Sequence, residues 1–261
     1  CDVRITLRST SQPTCWWGLF SDAGSQAKRK AHLKEPAFGP GDYMLYRSHY
    51  GDLQFMHSMG AYDGETAGET VDRMKIWAEF LWGVALGSTP TGVFIRDLGN
   101  AKMATYFPGD LTTMNLFATG IVEVRKDLDE VAIGVLLHMV QDSFSNAHAV
   151  RGQEPGAQCG STGFDKPGQI QQFHSYAKQS SSLHDEQDTT KALGLHTSQI
   201  SPSAVDVSRA FLTMWQAKKS WGEVEEVFDC VFEPKDRKIE ANAGVYQSVP
   251  NTRGDVRWNP S

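Results

Sequence analysis

The chain has 261 residues, of which 40% are hydrophobic and 21% are charged, as in ordinary globular proteins. This length is sufficient for one large domain with a well-buried core or for two small domains. The net charge of −6 and the isoelectric point of about 5.7 argue against a duplex nucleic-acid binder with a basic face, and against simple electrostatic adsorption to anionic membranes. The sequence has no apolar run long enough to span a bilayer.

Helical spacing of apolar residues is the main structural signal along the chain. It predicts helices over residues 65–87, 113–125, 128–150, 168–193 and 203–233, the last as one helix or as a broken pair. Segments 151–167 and 234–261 are rich in Gly, Pro, Asn and Asp and predict loops. Neither an alternating strand pattern nor an internal repeat is visible in the sequence.

These elements predict an all-α fold, a single-domain helical bundle over residues 1–261. Residues 1–31 are expected to be an N-terminal extension or a propeptide-like segment, and residues 234–261 a loop-rich tail. Aromatic residues at helical positions, such as Trp77, Phe80 and Trp215, are expected to lie in the core rather than in a functional site.

The four cysteines are Cys1, Cys15, Cys159 and Cys230, and none of them forms a Cys-x2-Cys metal site. Their even number favours two disulfides in an exported protein over four reduced thiols in a cytosolic one. We expect the pairs Cys1–Cys15 and Cys159–Cys230, and a secreted, periplasmic or extracellular location.

The most informative stretch places His138, Asp142 and His148 at the spacing His-x3-Asp-x5-His within an apolar run. His138 and Asp142 lie one helical turn apart on one face, so together they can bind one cation. If the helix continued, His148 would lie about 9 Å further along the axis than Asp142. We therefore expect it to serve a second ion nearby. Two neighbouring metal ions are an arrangement that hydrolyses phosphate esters.

Two further His/Asp pairs strengthen the metal hypothesis, namely His184-x3-Asp188 and Asp52-x4-His57. A single pair of this kind is more often a surface hydrogen bond. Three pairs in one chain, of which one lies in an apolar helix, favour a metal site. Nitrogen and oxygen ligands without paired cysteines favour Zn²⁺.

The spacing of residues 138–148, followed by His184-x3-Asp188, resembles the zinc-dependent phospholipase C and fungal single-strand nuclease superfamily. The Gln-Pro that this family has before its last histidine is missing here. The stretch from Tyr50 to Met59 more closely resembles the bacterial phospholipase C branch of pseudomonads and Legionella. The resemblance implies an all-α fold with a polynuclear zinc cleft that binds two to three Zn²⁺ ions.

The resemblance also implies a set of ligands for each ion. These are Asp52, His57, His138 and Asp142 for the first ion, His148, His184 and Asp188 for the second, and His32 with a bridging Asp142 for the third. The family's third ion also uses the amino terminus of a Trp, and this chain departs from that pattern because Trp16 and Trp17 do not stand first.

Alternatives to two of these ligands remain open. His49 is an alternative to His57. His174 is an alternative to His184, although Lys178 stands four residues after His174, where the family has an acid. His196 is expected to be an ordinary surface or loop residue.

The implied activity is secreted, zinc-dependent hydrolysis of phosphatidylcholine-type lipids to diacylglycerol and phosphocholine, in which Asp52 is either a base for the attacking water or a ligand only. The expected partner is phospholipid at a membrane surface, which Trp16, Trp17 and Phe20 would contact, and we expect a monomer without a stable nucleic-acid partner. The alternatives are a secreted nuclease or nucleotidase on the same platform and a non-catalytic protein whose helices are braced by zinc.

Overall fold

The computed structural model describes residues 13–118, 122–159 and 163–248, and these ranges are mostly helical. The helices are α1 (Pro13–Lys30), α2 (Met44–Tyr50), α3 (Ala67–Ala85), α4 (Ala101–Tyr106), α5 (Thr113–Ala118), α6 (Leu128–Asp142), α7 (Ser181–Asp185), α8 (Thr190–Gln199), α9 (Ala204–Gln216) and α10 (Trp221–Phe232). Short 3₁₀ helices lie at Gln54–His57, Ile95–Asp97, Glu123–Lys126 and Gly244–Tyr246.

Four short strands accompany the helices in the described ranges. The structure is therefore mostly helical, as predicted, but it is not all-α. They are β1 (Ala149–Arg151), β2 (Gln158–Cys159), β3 (Phe164–Asp165) and β4 (Ile170–Phe173). β1 pairs with β4 and β2 pairs with β3, each pair antiparallel. All four lie between the end of α6 and the start of α7, a segment in which the sequence predicted a loop followed by a helix.

Helix α3 confirms the helix predicted over residues 65–87. It begins at a capping box, in which the Glu69 backbone N–H donates to Thr66 Oγ1 (3.3 Å) and the Glu69 carboxylate accepts from the Thr66 backbone N–H (2.9 Å). It ends just before Gly87, whose φ of 70° lies in the left-handed region that glycine adopts without strain.

Helices α3, α6, α9 and α10 pack together around the main core. Trp77 is completely buried there and Phe80 nearly so, as predicted, whereas Trp215 lies half-buried at the edge, where its Nε1 donates to the Ala85 carbonyl (2.8 Å). Each large apolar side chain buried in this way contributes roughly 1.5–3 kcal/mol to folding. Because α6 packs against both α3 and α9, its C-terminal end is fixed relative to the rest of the fold.

Helix α6 ends at Asp142 and does not continue to residue 150 as predicted. The residues that follow form a turn, in which the backbone N–H groups of Ser145 and His148 donate to the carbonyls of Asp142 and Ser145. Serine and asparagine are weak helix formers that favour such turns. The buried Arg151 stabilises this turn, since its Nε donates to the Ser143 carbonyl (2.9 Å), the first carbonyl after the helix.

The other predicted helices differ from the structure in similar ways. The one expected over 113–125 is α5 and then, beyond residues 119–121, which lie outside the described ranges, a 3₁₀ turn. The one expected over 168–193 is replaced by β4, α7 and the start of α8, because Ile170 and Phe173 are buried where β4 pairs with β1. The segment 203–233 is a broken pair, α9 and α10.

Part of the segment predicted to be an N-terminal extension belongs to the fold. Residues 1–12 lie outside the described ranges, but α1 packs against α2 through a second, smaller cluster that includes the buried Phe20, Ala23 and Ala27. The predicted C-terminal loop, where it is described, lies along other segments; for example, the Ala241 backbone N–H donates to the Glu65 carbonyl (2.8 Å).

The predicted disulfide between Cys159 and Cys230 is present and joins β2 to α10, with a Cα–Cα distance of 5.5 Å. The other predicted pair, Cys1–Cys15, involves a residue outside the described ranges. Among the described helices, none combines the length and the apolar character needed to cross a bilayer.

Removal of the Cys159–Cys230 disulfide should destabilise the protein. The double substitution Cys159→Ser and Cys230→Ser frees a loop of 71 residues in the unfolded chain, and the chain-entropy model gives a loss of about 4 kcal/mol for a loop of this length. Urea denaturation of the variant and the parent protein measures the difference. Equal midpoints would show that the disulfide contributes little to stability.

Candidate metal centre

Two groups of histidine and aspartate side chains lie side by side in one pocket. The first group consists of His57, His138 and Asp142, and the second of His148, His184 and Asp188. Both line a pocket of about 390 Å³, with walls formed by α1, α2 and the segments around Met59 and Tyr176. Six of the eight residues predicted as metal ligands are therefore brought together, namely the set predicted for the first ion without Asp52 and the complete set predicted for the second.

The two histidines of the first group converge on one oxygen atom of Asp142. His57 Nδ1 lies 3.0 Å and His138 Nε2 lies 3.1 Å from Asp142 Oδ2, and the two nitrogens are 3.1 Å apart. His138 and Asp142 are one turn apart in α6, as the sequence predicted, whereas His57 comes from a distant 3₁₀ helix. The His138 side chain is 56% exposed, so this group faces the pocket opening.

His57 reaches α6 because the chain reverses immediately after it. Ser58 has a φ of 53°, in the left-handed region that non-glycine residues seldom adopt, and its side chain is completely buried. Its Oγ donates to the carbonyl of Met139 (2.7 Å), which lies next to His138 in α6. This hydrogen bond fixes the end of the 3₁₀ helix to the helix that carries the other two ligands.

The second group converges on Asp188 Oδ2. His184 Nε2 lies 3.2 Å and His148 Nε2 lies 3.4 Å from this oxygen. His184 lies near the end of α7 and Asp188 in the turn that follows this helix, whereas His148 is brought toward them by the turn that follows α6. Both imidazoles are buried, but the Asp188 side chain is 41% exposed.

The early end of α6 decides how close the two groups are. His148 Nδ1 lies 3.8 Å from Asp142 Oδ2, rather than on the far side of a continued helix. Arg151 supports this turn, since its Nη2 donates to Ser143 Oγ (2.9 Å) and its Nη1 donates to the carbonyls of Gly168 and Val231 (3.0 Å each). The guanidinium thus ties the turn to two other segments of the fold.

The separations within each group fit the binding of a metal ion. Donor atoms bound at about 2.0–2.2 Å to one tetrahedral ion lie roughly 3.3–3.6 Å apart. The donor–acceptor distances on Asp142 and Asp188, 3.0 to 3.4 Å, are close to that spacing. Each group offers two imidazole nitrogens and one carboxylate, so each can hold a divalent ion.

The carboxylates and imidazoles of the two groups shift one another's pKa values. Burial alone would raise the pKa of Asp142 and of Asp188, but the neighbouring histidines lower both pKa values well below the usual range. Burial would lower the pKa of His148, yet Asp142 and Asp188 on either side raise it to about 9. For His57 and His184 burial prevails, and their pKa values are lowered.

The structure does not place Asp52 with the first group, which corrects the predicted ligand and base. Its carboxylate accepts from Arg47 Nε (2.8 Å) and Nη2 (2.7 Å), so both oxygens are engaged, and the two side chains are buried together. Burial raises the pKa of Asp52, although hydrogen bonds and charge from Arg47 oppose the shift. The pair connects α2 to the segment that leads to His57.

The third predicted ligand set is not assembled in the described ranges. His32 lies just beyond α1, is exposed, and its Nδ1 donates to the Arg29 carbonyl (3.0 Å), so it joins neither group. His148 lies near Asp142, but the His32 side chain does not belong to either group. Trp16 and Trp17, the residues at which the chain departs from the family pattern, belong to α1 and line the pocket wall.

The alternative ligands have other surroundings. His49 lines the same pocket, but its Nδ1 donates to the Leu45 carbonyl (3.1 Å), its ring stands edge-on to Phe20, and burial lowers its pKa to about 3. His174 is buried and its Nδ1 donates to the Asn242 carbonyl (3.0 Å). His196 is not a surface residue as predicted, because it lies on α8 and is only 8% exposed.

Residues that support the ligands were not identified from the sequence. The Ser145 hydroxyl donates to Asp188 Oδ1 (2.8 Å), and Gln179 Oε1 accepts from His184 Nδ1 (2.7 Å). Arg151 and Ser58 are further examples. Their contacts join segments far apart in the chain, so no local spacing pattern could have indicated them.

Comparison of the chain with protein-family models, with curated proteins and with solved structures found no match. The family resemblance drawn from motif spacing therefore stays a prediction, and the geometry of the two groups is the basis for a functional proposal.

Substitution of Asp52 should reduce stability without removing metal. Asp52→Asn leaves the buried Arg47 charge without its carboxylate, and breaking a buried ion pair in this way costs roughly 3–5 kcal/mol. Chemical denaturation measures the loss, and elemental analysis of the folded variant measures metal content. Loss of an ion with unchanged stability would restore Asp52 as a ligand.

Metal binding to the second group should release a proton near neutral pH. His148 has a pKa of about 9 in the ion-free protein, so at pH 7.5 its imidazole is protonated, and binding through Nε2 requires the neutral ring. A His138→Ala variant keeps only the second group complete. Calorimetric titration in buffers of different ionisation enthalpy should give about one proton released per Zn²⁺, declining as the pH rises through 9. Absence of release at pH 7.5 would contradict this protonation state.

Proposed function

We propose that the chain is a zinc-dependent phosphodiester hydrolase of the phospholipase C type. The observation that carries the proposal is the pair of adjoining His/His/Asp groups in one open pocket. Donor sets of imidazole and carboxylate suit Zn²⁺, and we propose two ions rather than three because His32 lies with neither group. The proximity of His148 to Asp142, 3.8 Å, is what would let one phosphate contact both ions.

The charge of such a centre suits an anionic phosphodiester. Two Zn²⁺ ions bring four positive charges, and Asp142 and Asp188 return two negative ones, which leaves a positive site within an acidic protein. Zinc ions bound there would polarise phosphate oxygens and lower the pKa of bound water. The two carboxylates hold the imidazoles in place, and the buried rings of His148 and His184 keep bulk water from the inner wall.

The proton acceptor in this proposal is no longer Asp52, because Arg47 occupies both of its oxygens. Asp185 is a carboxylate that lines the pocket outside both groups, and partial burial raises its pKa. Because Asp185 lines the pocket without belonging to either ligand group, we assign to it the role of accepting a proton from the attacking water.

A lipid is the substrate that the pocket rim favours. The Trp17 side chain is 49% exposed on α1 and lines the pocket. An exposed tryptophan beside a phosphodiester site suits contact with a bilayer surface, where amphipathic side chains insert between head groups. The net charge of −6 fits a zwitterionic surface better than a polyanion.

A nucleotide substrate is the second candidate, favoured by the flat aromatic wall of the pocket. The rings of Trp16 and Phe20 are stacked with their centroids 5.1 Å apart, and both line the pocket. Bases stack on aromatic side chains in a sequence-tolerant way. A secreted nuclease or nucleotidase would use the same two groups on the same fold.

We further propose that the protein is exported and acts as a monomer. The Cys159–Cys230 disulfide fits an oxidising compartment, such as the periplasm or the extracellular space. A zinc ion that only braces the fold remains the non-catalytic alternative, since the ligands come from segments far apart in the chain.

Purified protein loaded with Zn²⁺ should release phosphocholine from phosphatidylcholine vesicles and lose this activity in chelator. Asp142→Asn keeps the shape of the side chain but removes the charge on which His57 and His138 converge, so activity should fall by several orders of magnitude with loss of at least one ion. Phosphocholine release, nucleotide release from single-stranded DNA and metal content are measured in parallel.

The matched control for this experiment is Asp22→Asn, which alters an exposed carboxylate that accepts from Tyr46 and belongs to neither group. Activity and metal content should be unchanged in this control. Nucleotide release without phosphocholine release would favour the second candidate. Bound zinc without either activity would favour a structural role.

A further inference from the structure

The Gln179 amide has an orientation that its surroundings determine. Its side chain is 3% exposed, and its Nε2 donates to the carbonyls of Ala147 (2.8 Å) and Ala243 (3.3 Å). Backbone carbonyls only accept hydrogen bonds, so the group that faces them must be the NH₂. The Gln179 Oε1 atom must therefore be the one that faces His184.

This orientation determines the tautomer of His184. Gln179 Oε1 is an acceptor only and lies 2.7 Å from His184 Nδ1, so the Nδ1 nitrogen carries a hydrogen. The neutral ring then has its lone pair on Nε2, the atom that lies 3.2 Å from Asp188. His184 is thus fixed in the tautomer that can bind a metal ion.

The same reasoning applies to His148. Its Nδ1 donates to the backbone carbonyl of His57 (2.6 Å), which leaves Nε2 to face Asp188. The third ligand of this group is also oriented, since the Ser145 hydroxyl donates to Asp188 Oδ1 and so turns Oδ2 toward the two imidazoles. Each ligand of the second group therefore has a hydrogen-bond partner beyond the ion site.

The first group differs in this respect. Within the described ranges, the hydrogen bonds of the His57 and His138 rings run to Asp142 and to each other, not to a carbonyl or amide behind them. The His138 side chain is also 56% exposed, whereas those of His148 and His184 are 5% and 9% exposed. An ion bound to the first group would have to orient these rings itself.

We infer that Gln179 is a positioning residue for His184, and that with the His57 carbonyl and Ser145 it makes the second group the tighter of the two ion-binding groups. The inference rests on the proposed function only in taking both groups to bind Zn²⁺. Removing such an outer hydrogen-bond partner typically weakens metal binding about 10–100-fold. The first group would then lose its ion first when a chelator is added.

Zn²⁺ affinity is measured by competition with a chromophoric chelator in two backgrounds. His138→Ala keeps the second group complete, and Asp188→Asn keeps the first. The His138→Ala protein should bind Zn²⁺ more tightly than the Asp188→Asn protein. Adding Gln179→Met, which has no strong donor or acceptor, should weaken binding about 10–100-fold in the first background and leave it unchanged in the second.

Gln54→Met is the matched control, because Gln54 is a buried glutamine that also joins two segments through its amide. It donates to the Ala61 carbonyl and accepts from the Tyr176 backbone N–H, 3.0 Å each, and neither partner is a ligand of the second group. It should lower the melting temperature as Gln179→Met does, without changing Zn²⁺ affinity in the His138→Ala background.

Ser145→Ala gives an independent measurement if Gln179→Met does not fold. It removes only the hydroxyl that orients Asp188, and Zn²⁺ binding in the His138→Ala background should weaken about tenfold or more. Equal affinities in the two backgrounds, or equal weakening of both by Gln179→Met, would overturn the inference and leave the proposed hydrolase intact. Absence of Zn²⁺ binding in both backgrounds would instead refute the proposed function.

Discussion

The end of α6 at Asp142 is the constraint on which the site depends. A helix presents residues on one face only at intervals of three or four, so a longer α6 would have carried His148 away from Asp142. The turn after Asp142 instead brings the His148 ring within 3.8 Å of that carboxylate. Arg151 fixes the turn by donating to the Ser143 carbonyl and hydroxyl, and its ring contact with Phe144 adds a cation–π interaction.

Two buried guanidinium groups support the segments that carry the ligands, and they do so by different means. Arg47 pairs with Asp52, so its charge is compensated by a carboxylate. Among the described residues, the hydrogen-bond acceptors of the buried Arg151 are carbonyl and hydroxyl oxygens, and burial lowers its pKa to about 9. A buried charge is costly unless its donors are satisfied. Both residues thus stabilise one local backbone conformation, because other conformations would leave their donors unpaired.

Local patterns in the sequence were sufficient for the helices of the core and for the pairs that lie one helical turn apart. The spacing of His138 to Asp142 predicted two members of the first group, because that relation depends only on the geometry of α6. His184 and Asp188 were paired by the same spacing, although the structure places Asp188 in the turn after α7. Helical spacing also indicated the buried Trp77, and the even number of cysteines indicated the disulfide from Cys159 to Cys230.

Other relations depend on tertiary contacts and were not predictable from spacing. Asp52 and His57 looked like a ligand pair, but a neighbouring arginine, Arg47, engages the carboxylate. The segment of β4 was predicted to be helical. It forms a strand because it pairs with β1 across a loop, and local spacing does not reveal that pairing. His32 was placed by resemblance alone, and its exposed position beyond α1 removes it from the site.

Helix α1 is attached to the molecule through a small cluster of its own rather than through the main core. Phe20, Ala23 and Ala27 are its buried apolar residues, and the cluster they join lies around α2 and Tyr176. Few buried apolar contacts lower the free energy of local unfolding, so we expect α1 to open more easily than the helices of the main core. Because α1 also carries Trp16 of the pocket wall, such an opening would widen the pocket and let a bulky ligand displace one wall.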